Sequence, residues 1–385
     1  MNEILELEIE QMNFGRGGIG NITSPEEVRV FIETPRSRKV EPFAPGDKVR
    51  VKVLEKKKGF WTAEVLEILS RNALKRVEPK CEVFGQCGGC QWQHIAYKVQ
   101  LEQKRKILEA ILRQVPKSLP EITIYPCRDP YNYRSRVQIR GNQTGIGFYE
   151  GSSNTLVSAR NCEILDPRLQ KKWKEFVEKA DLKELAKKGE FKLEWTLNEK
   201  GEILEAFNRK HAAFGFTQVN QSQNEVLRSL VKEWASRQNK KNILLDLYGG
   251  DGNLSKQLNG QFKSIICVDI SNGGQQISGV SKKLHSEKFR LIECDVREFL
   301  DGQYWNDWGS ATSAILDPPR IGLENAVTPL LRAGFESLLL VSCHPKALAK
   351  DLSFLVTKYE IQKIHLVDMF PQTYHLESVV ELKIK

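Results

Sequence analysis

A thiol at the end of an apolar run is the first candidate for chemistry in this sequence. Residues 337–348 read SLLLVSCHPKAL, and Leu338 to Val341 form a short, continuously apolar stretch that stops at Ser342-Cys343 before a proline. That pattern predicts a strand buried on both faces of a parallel sheet. Ligands bind at the carboxyl ends of such strands, so Cys343 is a candidate nucleophile. A lone cysteine in that setting more often fills core. Here the company it keeps shifts the odds: ILDPPR just upstream and VDMFPQTYHLES just downstream.

A second cluster suits a metal. CEVFGQCGGC holds Cys81, Cys87 and Cys90 at x5-then-x2 spacing, and SARNCEIL supplies Cys162 as a fourth candidate. Gly85, Gly88 and Gly89 allow a tight loop that aims several thiolates at one centre. Zinc sites usually show paired C-x2-C units, so this spacing fits an iron-sulfur cube better. Cys127, Cys267 and Cys294 lack any such spacing and are expected to fill core.

The elements that must position these groups fall into three stretches. With 385 residues the chain is too long for one ordinary core. Up to Leu69 short strands alternate with glycine turns. In KVRVKV, period two puts Val49, Val51 and Val53 inward and Lys48, Arg50 and Lys52 outward. Five or so strands in so short a length predict a small closed barrel, a shape that often binds oligonucleotides. Residues 96–114 have helical periodicity, with Lys104-Arg105-Lys106 read as a solvated face. YNYRSRVQIRGNQTGIGFY then predicts a hairpin with Arg134, Arg136 and Arg140 on one face, suited to bidentate phosphate contacts. FKLEWTLNEKGEILEAF is a second hairpin. From Gly215 onward, KNILLDLYG, SIICVDIS, FRLIEC, SAILDPP and SLLLVSC alternate with helical or loop stretches and imply a doubly wound parallel sheet. The first run leads into DLYGGDGN, whose glycines permit close backbone approach, and the second ends in Asp269, placed to accept from ribose hydroxyls. On these residues alone the cofactor is S-adenosylmethionine or NAD.

Composition narrows the partners. A net charge of +9 favours a polyanion, nucleic acid first. The amino terminus MNEILELEIEQ has no uninterrupted apolar run, so neither a secretory signal nor a membrane span is expected there, and a cytoplasmic location follows. In that compartment eight cysteines serve metal binding, catalysis or burial rather than disulfides.

Taken in order, these segments resemble the RNA 5-methyluridine methyltransferases, specifically the iron-sulfur ribosomal branch, over nearly the whole chain. The barrel is similar to a TRAM domain, CEVFGQCGGCQWQH with Cys162 to the branch's cluster site, and FTQVNQSQN and DLYGGDGN to its cofactor segments. DPPR, VSCHPKALAKDL and DMFPQTYHLES resemble its catalytic motifs. Gly249 stands where a cysteine is common, and His344 where asparagine is common. The resemblance implies an α/β fold: a Rossmann-like methyltransferase domain at 211–385, a TRAM/OB-like barrel at 1–70 and a central iron-sulfur α+β domain at 71–210. It also implies that Gln218, Tyr248, Asn253, Asp269, Asp295 and Asp317 bind S-adenosylmethionine. Cys343 would be the nucleophile and Glu377 the general base, with Asp317 between cofactor and flipped base. Cys81, Cys87, Cys90 and Cys162 would hold a 4Fe-4S cluster. The implied partner is RNA, 23S rRNA before tRNA, with no membrane and no obligate protein partner.

The competing readings are a 5-methylcytosine RNA methyltransferase, a tRNA T-loop enzyme, an inactive iron-sulfur RNA-binding protein and an NAD-dependent oxidoreductase. Outside the motif context, Asp317 could cap a helix, Asp295 end a strand, and Glu377 be a solvated neighbour of His375.

Overall fold

The computed structural model describes residues 3–23, 28–34, 41–151, 153–187, 189–209, 214, 217–270, 283–286, 288–302 and 311–385. The chain forms two compact units. One comprises Met1–Ile107, Arg128–Ala213 and Phe370–His375; the other comprises Leu108–Cys127, Phe214–Met369 and Leu376–Lys385.

The first unit opens with β1 (Ile4–Glu8), β2 (Gln11–Met12), β3 (Gly18–Ile22), β4 (Val28–Glu33), β5 (Lys48–Lys57) and β6 (Phe60–Ser70), in the order β1-β5-β6-β4-β3-β2. β1 and β2 lie at opposite ends of that order yet are separated by two residues. Ile9 donates to Asp47 O and Glu10 donates to Ile19 O, each at 2.9 Å, so one bent strand joins both edges and closes the sheet. Closure removes exposed edges. Val49, Val51 and Val53 are buried, as their alternation predicts. The outer face is less basic than its sequence suggests, because Arg50 bonds Glu6 and Glu67, and Lys56 pairs with Glu3 at 2.5 Å. Beneath the barrel, the fully buried Asp47 accepts from the amides of Ala44 and Asn72 and from the Arg76 guanidinium.

The same unit holds a five-stranded sheet, ordered β10-β9-β8-β11-β12. These strands are β8 (Arg136–Asn142), β9 (Gly145–Tyr149), β10 (Leu156–Ser158), β11 (Phe191–Leu197) and β12 (Ile203–Phe207). Both hairpins expected from the sequence are present in it. α2 (Pro167–Lys179) starts with a proline after the Asp166 cap and buries Leu169 and Trp173 against Trp195, Phe191 and Leu193. The short α3 (Leu182–Leu185) follows. α1 (Tyr97–Leu112) corrects one expectation: Lys104 is fully buried and donates to Phe370 O at 2.9 Å, so it lies on no solvated face.

The second unit is a nine-stranded sheet ordered β15-β16-β14-β13-β17-β18-β20-β19-β7. Its strands are β7 (Ile122–Tyr125), β13 (Ile243–Leu247), β14 (Ser264–Asp269), β15 (Lys283–Ser286), β16 (Phe289–Glu293), β17 (Ala311–Leu316), β18 (Ser337–Ser342), β19 (Tyr359–Val367) and β20 (Glu377–Ile384). From β16 to β18 all neighbours are parallel, and their residues are buried nearly throughout, as a sheet covered on both faces requires. β20 then returns antiparallel to β18. α4 (Gln221–Ser236), α5 (Val296–Asp301), α6 (Val327–Ala333) and α7 (Pro345–Leu355) complete the unit. Residues 108–127, which the sequence reading assigns to a central domain, belong here, where β7 pairs with β19. Four residues are too few for a hydrophobic pattern to announce a sheet partner so distant in sequence.

Asp47→Ala should destabilise the barrel by about 3–5 kcal/mol, because it strands a largely buried Arg76 and two amides. Loss of hydrogen-exchange protection in β5 and β6, with β13 and β18 unaffected, would register it.

Candidate active site

The candidate residues of the second unit come from the carboxyl edge of its parallel strands. β13 ends at Leu247, in register with Val268 of β14 and Leu316 of β17, and Leu316 is in register with Leu340 of β18. Tyr248, Asp269, Asp317 and Cys343 therefore emerge along one rim. Asp317 is tied to it by its amide, which donates to Leu247 O at 3.2 Å. Glu377 arrives from the other direction. β20 pairs Ser378 with Ser342, so an antiparallel register sets Glu377 across from Cys343. Glu377 is only 4% exposed and is no solvated neighbour of His375.

The charges of this cluster act on one another. Burial first, then Glu377 and Asp317, push the Cys343 thiol up to about 11, and Arg320 opposes them. Burial and the carboxylates of Asp246 and Asp269 raise Asp317 to about 7. Glu377 is raised well above the usual carboxyl range by desolvation and by Asp317, again against Arg320. Burial among like charges favours the protonated forms of these groups. Deprotonation becomes easier only when positive charge is brought in.

α7 anchors the cluster from below. His344 is its N-cap, with Nδ1 accepting from the Ala347 amide at 3.3 Å, the role a capping asparagine fills. Asp351, buried on the same helix, accepts from Leu323 N at 3.0 Å and so holds the loop that follows Pro318-Pro319-Arg320. Gly322, at φ +87°, lies against Asp351, and a Cβ there would sit 2.6 Å from its Oδ2. The sequence reading passed over Asp351, although it lies within the VSCHPKALAKDL segment.

The glycine loop after β13 is built for close approach. Tyr248 takes φ +62°, Gly250 +57° and Gly252 +84°, and Gly250 N donates to Asp269 Oδ2 at 3.0 Å. A Cβ on Gly249 would meet Cys267 Sγ and Asp246 at 2.5 Å, so Cys267 already occupies the space a side chain at 249 would need. Below the loop the fully buried Asp246 bonds Ser255 through Oδ2, while its Oδ1 has no hydrogen-bond partner among the described residues. Asp246 is pushed up to about 6, mainly by burial.

The other predicted cofactor residues differ in what holds them. Asn253 and Asn224 exchange side-chain bonds of 3.0 and 2.9 Å, which tie the loop to α4. Asp295 is the N-cap of α5, accepting from the amides of Arg297 and Glu298, rather than a strand end. Gln218 is half-buried two residues before Asn220, and the start of its FTQVNQSQN segment, Phe216, lies outside the described residues. Asn220, which the sequence reading did not single out, is fully buried, caps α4 and donates to Met369 O and Cys127 Sγ.

In the first unit, Cys81, Cys87, Cys90 and Cys162 all line one cavity of about 130 Å³, together with Arg134 and Gln93. That is near the size of a cavity that accepts benzene. Among the described residues no three His, Cys, Asp or Glu side chains are placed to hold a metal ion. Burial pushes Cys90 and Cys162 up to about 12, with the neighbouring cysteines adding to it, and raises Cys81 and Cys87. A Cβ on Gly88 would lie 3.0 Å from the Gly151 backbone, tighter than ordinary contact, so a side chain there would press on that strand connection.

The three arginines of the first hairpin do not share an environment. Arg134 faces the cysteine cavity and lowers the Cys87 and Cys162 thiols against their burial. Arg136 is paired with the buried Glu194 and is itself only 15% exposed. Arg140 stacks on Tyr149 at 5.2 Å and bonds Gln138. Strand parity predicts the side of a sheet; it does not predict which partner covers that side.

Residues 204–385 match the family described as tRNA (Uracil-5-)-methyltransferase. An uncharacterized RNA methyltransferase of Bdellovibrio bacteriovorus is 28% identical over 99% of this chain and 95% of its own length. The 23S rRNA (uracil(1939)-C(5))-methyltransferase RlmD of Mannheimia succiniciproducens is 26% identical over 97% of this chain and 95% of its own. Among solved structures, the Pyrococcus abyssi tRNA (uracil-54, C5)-methyltransferase in complex with S-adenosyl-L-homocysteine aligns with a TM-score of 0.68 at 22% identity. That alignment covers 98% of this chain and 99% of the other, and shows a common fold.

Alkylation of Cys343 by iodoacetamide in the protein without donor should be slow near neutral pH and should rise roughly tenfold per pH unit toward pH 9. Peptide mass spectrometry reads it; a rate already flat at pH 7 would contradict the raised thiol.

Proposed function

We propose that this chain, an RNA uracil-5-methyltransferase by the family of its residues 204–385, methylates carbon 5 of a uridine in 23S rRNA through a covalent bond between Cys343 and carbon 6. The observation that carries this reading is the facing of Cys343 and Glu377 across the β18–β20 pair, with Asp317 and Arg320 acting on both.

Carbon 5 of uracil is too weak a nucleophile to take a methyl group unaided. Cys343 Sγ gives up its proton to solvent water and bonds carbon 6, which places an enolate electron pair on the ring and makes carbon 5 nucleophilic. When bound, S-adenosylmethionine supplies an electrophilic methyl on a sulfonium, whose positive charge offsets the negative charge gathered by Cys343, Glu377 and Asp317. Glu377, as carboxylate, then removes the proton left on carbon 5; the carbon 6–sulfur bond breaks and its electrons return to Cys343. Asp317, raised and tethered to Leu247, hydrogen-bonds the extruded ring. A base has to leave its stack to reach this rim, so loop or single-stranded RNA is the substrate form.

For the donor, Asp269 would accept from ribose hydroxyls, and Tyr248, the glycine loop, Asp295 and Gln218 would line its site. Asn253 contributes by holding the loop to Asn224. The buried, unpartnered Asp246 Oδ1 beneath the loop fits a site that expects a further donor. Asp317 borders both ligands.

The four-cysteine cavity fits a 4Fe-4S cluster held by Cys81, Cys87, Cys90 and Cys162. Four thiols lining one space of about 130 Å³, at the x5-then-x2 spacing, support the cluster reading over one zinc ion. The cluster would bind thiolates and cross-link the loop to the sheet, and Arg134 would balance its charge. The transfer itself needs no redox step. The closed sheet of β1–β6 is read as a TRAM-type RNA-binding module, and Arg140 as the hairpin arginine left at the surface for phosphate. The domain division 1–70, 71–210 and 211–385 stays as a functional one. A cytoplasmic setting suits reduced thiols and an RNA substrate. Ribosomal RNA is preferred over tRNA because a relative matched over almost its whole length acts on 23S rRNA.

Cys343→Ala should abolish both product and the adduct trapped by 5-fluorouridine RNA. Glu377→Gln should still form the adduct but slow product release by 10²-fold or more. Normal turnover by Glu377→Gln would refute the base. Assays with purified 23S rRNA and tRNA decide the substrate. Cys162→Ala should lower iron content and the cluster's visible absorption while leaving S-adenosylmethionine binding intact; unchanged iron would remove Cys162 from the ligand set.

A further inference from the structure

The turn that carries Cys343 is closed by a group able to lose its closing bond. His344 caps α7 with φ −133° and ψ 102°, and its Nδ1 accepts from Ala347 N at 3.3 Å. The His344 amide also donates to Ser342 Oγ, and Ser342 Oγ donates to His344 O, both at 3.3 Å. Ser342 is buried, so Cys343 sits between two residues bonded to each other across it. The nucleophile's place is thus set from both flanks, and one of the bonds requires an unprotonated ring nitrogen.

We infer that His344 is a positioning residue for Cys343 that acts only as the neutral imidazole, so that protonating it opens the helix cap and slows attack on the pyrimidine. An imidazolium has donors at both nitrogens, which would set Nδ1–H against the Ala347 N–H. It would also add positive charge at the positive end of α7. An asparagine at this position would cap the helix without titrating.

The surroundings hold the ring in its neutral form near neutral pH. Burial lowers its proton affinity first, and Lys346 on α7 and Arg320 on the loop after β17 add positive charge beside it. The acids of the rim, Asp317 at the end of β17 and Glu377 on β20, act on the Cys343 thiol, which Arg320 also faces. Folding therefore binds fewer protons at His344 than the unfolded chain does. The stability this bond adds is present above the unfolded-state value and is lost as pH falls toward the lowered folded value.

The inference rests on Cys343 being the nucleophile, and the test separates the two. Adduct formation with 5-fluorouridine RNA is timed from about pH 8 to about pH 5 for the parent and for His344→Asn and His344→Ala. At the alkaline end His344→Asn should react within about twofold of the parent and His344→Ala roughly three- to tenfold slower. Toward acid the parent should lose ground to His344→Asn by fivefold or more, and a constant ratio across the range would overturn the inference. Should His344→Asn fold poorly, the imidazole of His344 is titrated by NMR in the parent. Its midpoint should coincide with the pH at which adduct formation begins to fall more steeply than the roughly tenfold per unit set by the Cys343 thiol, and a separation of more than about one pH unit, or no such break, would equally overturn it. If Cys343→Ala still forms adduct, the nucleophile reading fails; if it does not and the ratio is flat, only the role of His344 fails.

Discussion

One antiparallel pairing governs the catalytic half of this protein. The parallel strands β14, β13, β17 and β18 can bring side chains only to their own carboxyl edge. Asp317 joins Cys343 there from a parallel neighbour, whereas Glu377 comes from a strand that starts at the rim. β20 is that strand: reversed against β18, it begins at the rim and sets Glu377 opposite the thiol. A register slip of one residue would turn Glu377 to the other face. The long pairing of β20 with both β18 and β19 resists such a slip.

The rim is electrostatically costly, and the costs have a common sign. Asp246, Asp317 and Glu377 are all raised by burial, and the Cys343 thiol is raised with them. Buried acids whose folded values exceed their unfolded ones oppose folding increasingly as pH rises through the folded values. A site of this kind is stable when protonated and becomes reactive when a cation approaches. Arg320 is the cation the chain itself provides, and it counters both Cys343 and Glu377. A cationic methyl donor would add to the same effect.

The cysteine cavity follows different physics. Its thiols are held by single hydrogen bonds to their loop, such as Gly88 N donating to Tyr149 O and Cys81 N donating to the Gln93 side-chain Oε1, rather than by long strands. Glycines make that possible: Gly85 takes φ +84°, and Gly88 approaches the Gly151 backbone closely. Arg134 brings positive charge to the thiols from the adjacent sheet. Two sulfur environments therefore coexist in one chain, one dependent on a strand register and the other on a loop.

Much of this was legible in the residues themselves. Continuous apolar runs announced the parallel strands, alternation announced β5, and ordered motifs picked out Cys343, Asp317, Glu377 and the four cavity cysteines, because periodicity and spacing are properties of the chain alone. The tertiary structure decided what needed partners from afar. It buried Lys104, divided Arg134, Arg136 and Arg140 among three environments, carried β7 into the second sheet, and made a helix cap of His344 and a loop tether of Asp351. Sequence determines which face a side chain shares and what chemistry it can do. Which charge or carbonyl meets it depends on segments hundreds of residues away, and only the folded chain brings those together.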